Sequence, residues 1–119
     1  PLGGGAVITA LAFLGAAAAG AVARAEAGRR WNRHEGVALG TLIVNVSGSF
    51  LLCLLSQTTP PVLTVLGVGA LGAYTTFSSF ARDAVALADD GRLWLAGLYV
   101  AASAVLGIGA AALAVAIVH

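Results

Sequence analysis

The chain has 119 residues, 60% of them hydrophobic and 9% charged, with a mean hydropathy of +0.98. A soluble domain carries about 25% charged residues, so an ordinary water-facing surface is excluded. The net charge of +1 leaves no basic surface for nucleic acid, and the single Cys53 supplies neither a disulfide framework nor a metal site.

Four charge-free stretches follow one another, at 5–23, 37–56, 61–81 and 93–118. Each meets the roughly 20 residues needed to cross about 30 Å of hydrocarbon. They predict one all-α membrane domain over 1–119, with four transmembrane helices and short loops. The first stretch does not read as a signal peptide, because no basic segment precedes it and three further spans follow. The numbering starts at Pro1 and the chain has no Met, so the native start is expected to be missing. The first helix is expected to stop at Arg24, where a polar loop over 24–35 begins. Pro60 and Pro61 close the second loop; they cannot continue a helix but can open one. Asp89, Asp90, Gly91 and Arg92 make the third loop. Trp31 and Trp94 flank loops one and three, on one membrane side, where an interfacial aromatic belt or ordinary packing accounts for them. The pairs Ala16/Gly20, Gly36/Gly40 and Ser103/Gly107 are small-xxx-small repeats, which let helices approach closely in lipid.

No Asp, Glu, Lys, Arg or His lies inside the four stretches. Proton-coupled transporters usually need a carboxylate or a similar group at depth, and no nucleophile–base constellation points to an enzyme. His34 and His119 are too far apart to suggest a metal site. What the spans offer is neutral donors. Thr41, Asn45 and Ser49 recur at i, i+4 and i+8 and share one helix face, as do Tyr99 and Ser103. The segment 69–80 packs two glycines, four Ser/Thr hydroxyls and three aromatic rings. A lone hydroxyl in a span most often bonds its own helix backbone, an interhelical hydrogen bond is the alternative for Asn45, and two phenylalanines at helical spacing most often simply pack. Three polar faces in so small a chain point instead to a polar track, since such groups survive at depth only inside protein or along an aqueous path. Neutral donors without a fixed cation suit a small, strongly hydrated anion that must bind weakly enough to leave. The ring edges of Phe77 and Phe80 carry partial positive charge and fit the same ligand. Four thin helices enclose little space, so an oligomer is expected.

These residues resemble the Fluc fluoride channels, also called the CrcB family. Gly40-Thr41-Leu42-Ile43-Val44-Asn45-Val46-Ser47-Gly48-Ser49-Phe50 is similar to the family's second-helix signature. The segment 69–80 is similar to its third-helix signature, which ends in T-T-F-S-T-F. Ala21-Val22-Ala23-Arg24 and the Tyr99/Ser103 spacing also match, so the resemblance covers the whole chain. It implies an antiparallel two-fold dimer with two fluoride pores, a break in helix 3, and a structural Na⁺ at the dimer centre. Asn45, Phe77 and Phe80 match the pore asparagine and paired phenylalanines; Thr41, Ser79, Tyr99 and Ser103 match the polar track. Gly72 and Thr75 would hold Na⁺ through backbone carbonyls from both subunits. Arg24 matches a vestibule arginine, an interfacial snorkelling charge being the alternative. Three positions depart from the pattern: Ala73 replaces a second glycine, Ser79 a threonine, and Gly107 a serine that would extend the track.

The function so implied is passive export of fluoride across the bacterial plasma membrane. Its partners are lipid, fluoride and a second subunit, either the same chain or a homologous one. A small multidrug-type exporter would need a carboxylate in 5–23, which has none; a non-conducting assembly subunit is the other alternative. All six basic residues, Arg24, Arg29, Arg30, Arg33, Arg82 and Arg92, fall in loops one and three or at helix ends facing them. The positive-inside rule then predicts these loops in the cytoplasm. Such a bias opposes dual insertion and favours a partner chain of opposite bias.

Overall fold

The computed structural model describes residues 3–32 and 36–119. The first helix, Gly4–Trp31, does not stop at Arg24 but runs on through most of the expected polar loop. Beyond Arg24 the helix is held by Glu26, which accepts from Arg29 Nε at 3.1 Å and Arg30 Nε at 2.7 Å. These are i,i+3 and i,i+4 pairs, the spacing that supports an exposed helical turn. Asn32 then turns into extended backbone, with φ −75° and ψ 131°. Arg33, His34 and Glu35 lie outside the described residues.

The second helix, Leu39–Leu55, has 17 residues and at 1.5 Å per residue is about 26 Å long. Gly36 precedes it with φ +86°, the left-handed region that favours glycine. Gly36 and Gly40 are therefore not a helical pair, contrary to the repeat read in the sequence.

The third span, Pro60–Asp89, opens as its prolines predict, behind an extended Thr59. It then winds as a π-helix over Leu63–Leu71 and closes with one α-turn, Gly72–Tyr74. Thr75 and Thr76 are extended, with ψ 157° and 116°. Helix resumes over Phe77–Asp89, its N-terminus capped by the Thr76 hydroxyl, which accepts from the Ser79 N–H at 3.1 Å. The break in helix 3 is thus present; the π-helix before it was not foreseen. The fourth helix, Leu93–Val118, has 26 residues and matches its charge-free stretch.

Close backbone approaches lock these spans together. A Cβ on Gly20 would collide with the Ala70 carbonyl oxygen, one on Gly40 would lie 2.5 Å from the Ala27 carbonyl oxygen, and one on Gly48 would collide with Thr75 Cγ2. A Cβ on Gly107 would sit 3.9 Å from Ser49 Oγ. Successive spans alternate in direction, which brings the ends beside loops one and three together. Ala38, Leu87, Ala96 and Tyr99 form one buried cluster there. Ile8, Leu14, Val105 and Ile108 are more than 60% exposed, an outward face that suits lipid.

Candidate functional site

The break in helix 3 sets free backbone groups that a continuous helix would pair, and other helices take them up. The Thr76 N–H donates to Asn45 Oδ1 at 2.7 Å, and Asn45 Nδ2 donates to the Thr76 carbonyl at 2.9 Å. One amide thus grips both polar groups of one residue, and its second Nδ2 hydrogen has no acceptor among the described residues. Arg24 Nε donates to the Ala73 carbonyl at 3.1 Å, at the negative end of the half-helix that stops at Tyr74. Its guanidinium is turned inward against the break.

Gly72 and Thr75 are among the residues whose carbonyls lose their helical partners. In a continuous α-helix the Thr76 and Ser79 N–H groups would close on the carbonyls of Gly72 and Thr75. They go instead to Asn45 Oδ1 and Thr76 Oγ1. The Thr75 N–H and hydroxyl both turn back to the Leu71 carbonyl, at 2.9 and 3.0 Å.

A groove of about 440 Å³ opens along the break, lined by Asn45, Gly48, Ser49, Gly72, Thr75, Thr76, Phe77 and Phe80 among others. Phe77 is 79% exposed, so packing within its own chain does not explain it. Its ring lies 6.0 Å from Phe80 at 52°, and Phe80 lies 5.2 Å from Tyr99 at 44°. Tyr99 is only 1% exposed, and its hydroxyl points at Asp83 Oδ2, 3.5 Å away. Ser103 Oγ is buried with no hydrogen-bond partner among the described residues. Ser49 donates to its own helix at the Asn45 carbonyl (2.9 Å).

A smaller chamber of about 150 Å³ lies on the loop-one side of the break, with Arg24, Asn32, Thr41, Thr76, Ser79, Arg82 and Asp83 in its wall. The residues read as one track therefore divide. Thr41 and Ser79 face the chamber, Asn45 and the phenylalanines face the groove, and Thr76 belongs to both. Two arginines against one carboxylate make the chamber favourable to an anion. Asn32, Arg82 and Asp83 were missed as site residues. Asn32 was assigned to a polar loop, and Arg82 and Asp83 lie just past the charge-free stretch; only their shared membrane side was readable.

A family profile described as "CrcB-like protein, Camphor Resistance (CrcB)" matches residues 10–115. The chain belongs to the CrcB family. The matched residues include both signature segments, Arg24, Tyr99 and Ser103. Similar proteins named "Fluoride-specific ion channel FluC" occur in several bacteria. One from Anaeromyxobacter dehalogenans is 49% identical over 82 residues, covering 63% of this chain and 64% of that protein. One from Agrobacterium fabrum is 45% identical over 78 residues, covering 60% and 62%. One from Rhodospirillum centenum is 40% identical over 99 residues, covering 76% and 79%. The chain thus spans less than two thirds of the first two of these relatives. Its long apolar helices and CrcB membership make it a multi-pass protein of the bacterial cell membrane.

Proposed function

We propose that this CrcB chain is one subunit of a passive, fluoride-selective channel that lets F⁻ leave the cytoplasm. The observation that carries the reading is the broken third helix, with the Asn45 amide gripping Thr76 beside the exposed Phe77 ring. An amide hydrogen, ring edges and hydroxyls give an anion neutral donors that bind weakly enough for release. Asn45, Phe77 and Phe80 line the conducting path, and Thr41, Ser79, Tyr99 and Ser103 extend it. The unpartnered Ser103 Oγ supports a ligand there, because a buried hydroxyl without a partner is costly. Arg24 and Arg82 raise the local anion concentration at the chamber. Acid outside drives neutral HF inward, where it ionises; a passive leak then lowers the trapped pool.

The working unit is an antiparallel two-fold dimer. The groove exposes Asn45, Thr75 and Thr76 sideways, where lipid would leave polar backbone unsatisfied, and a second subunit covers it. The released Gly72 and Thr75 carbonyls are hard oxygen donors that fit a Na⁺ shared between subunits, consistent with unwound helix carbonyls elsewhere. Bound there, the ion would supply fixed positive charge that ties the two breaks together. The decisive experiment is reconstitution into liposomes loaded with fluoride and chloride. Rapid fluoride efflux with chloride retained is the expected result; a protein that leaks neither is an assembly subunit, and the channel reading falls.

A further inference from the structure

Asn32 commits both polar atoms of its side chain to another residue of the chamber wall, Thr41. Its Oδ1 accepts the Thr41 N–H at 3.1 Å, and its Nδ2 donates to Thr41 Oγ1 at 3.4 Å. The first contact caps the second helix from outside, because Ala38 at its N-terminus has no capping side chain. The second has a different effect. A hydroxyl that accepts at its oxygen keeps its own hydrogen for another acceptor. Thr41 is 5% exposed, and the acceptors open to that hydrogen are a carbonyl one turn back in its own helix and whatever occupies the chamber. Close packing fixes the arrangement: a Cβ on Gly40 would lie 2.8 Å from Asn32 Oδ1.

From this geometry we infer that Asn32 is a positioning residue for anion access: by donating to Thr41 Oγ1 it turns the Thr41 hydroxyl hydrogen into the chamber. An anion there outcompetes the neutral helix carbonyl as acceptor, because charge-assisted hydrogen bonds are roughly twice as strong as neutral ones. Without the Nδ2 donor, Thr41 turns back to its own helix backbone, as lone threonines do.

The inference rests on the fluoride-channel reading, and the test separates the two. Fluoride flux through reconstituted full-length channels is measured against fluoride concentration for the parent, Asn32→Asp, Asn32→Ala, Thr41→Val and the double variant Asn32→Asp/Thr41→Val. Asn32→Asp keeps the acceptor for the Thr41 N–H, and with it the cap, but loses the donor. Its half-saturating fluoride concentration should rise about two- to tenfold, the worth of one hydrogen bond. Thr41→Val should match it, and the double variant should be no worse than Thr41→Val alone. Misfolding lowers the fraction of active vesicles and leaves half-saturation unchanged, so a purely structural Asn32 would not move this readout. Parent-like half-saturation in both Asn32 variants overturns the inference, as do losses that multiply in the double variant. A parent that conducts no fluoride removes the channel reading as well.

Discussion

Asn45→Ala removes both hydrogen bonds that hold the Thr76 peptide. An unsatisfied backbone group costs about 1–3 kcal/mol when fully buried, so two at this half-buried site cost at most about 2–6 kcal/mol. Interhelical hydrogen bonds in membranes average only about 0.6 kcal/mol, which sets a floor near 1.2 kcal/mol. At 1.4 kcal/mol per decade, even the floor shifts the equilibrium between an ordered and a disordered break about sevenfold. Fluoride efflux from liposomes should fall, by up to about that sevenfold at the floor, with a lower melting temperature in detergent. Asn45→Asp separates the roles of the side chain. It still accepts the Thr76 N–H, but it sets a carboxylate against the Thr76 carbonyl and the anion path, so flux should suffer more than stability. An Asn45→Ala channel that melts and conducts within twofold of the parent would refute the grip on Thr76 as the organising contact.

Phe80→Ile should keep a folded protein while cutting fluoride efflux severely; Phe77→Ile should cut it with a smaller loss of stability, since Phe77 packs on less of its own chain, and near-normal efflux in either variant returns that ring to packing. Gly20→Ala should destabilise the protein by about 1–3 kcal/mol, because its Cβ meets the Ala70 carbonyl oxygen, whereas Gly15→Ala, with nothing within 4 Å, should melt at or above the parent temperature. Gly72→Pro should abolish flux, because Gly72 donates its N–H to the π-helix carbonyls of Gly67 and Gly69; Thr75→Val should keep more of it, since its carbonyl is untouched, and equal losses would move the ion site elsewhere. Expressed alone, the chain should insert with loops one and three in the cytoplasm, read by labelling a cysteine introduced beside Trp31. Equal labelling from both faces together with robust efflux would establish a homodimer and end the case for a partner of opposite bias.

The four spans were legible because hydrocarbon tolerates so little charge that stretches without Arg, Asp or Glu mark them. Pro60 and Pro61 announced the start of the third, and the i, i+4 spacing put Thr41, Asn45 and Ser49 on one face. The continuation of the first helix past Arg24 was masked by polarity, although Glu26, Arg29 and Arg30 carry the spacing of an exposed helical turn. The position of the break rested on family resemblance, because a Thr-Thr pair is a weak helix breaker. Least legible were Asn45 on Thr76, Arg24 on Ala73 and Asn32 on Thr41. The first two join residues 31 and 49 positions apart, and the third depends on a turn, so periodicity carries no trace of any of them.

The grip on the break has a consequence for biogenesis. Synthesis is vectorial, so the first two spans leave the ribosome before the third. Asn45 and Arg24 are therefore already in the bilayer when Thr76 and Ala73 arrive, and the third span breaks against waiting partners. A split protein whose last two spans are made and inserted first would carry bare amide and carbonyl groups into lipid. Such a fragment should stall at the insertion machinery or remain a straight helix until the first two spans are supplied.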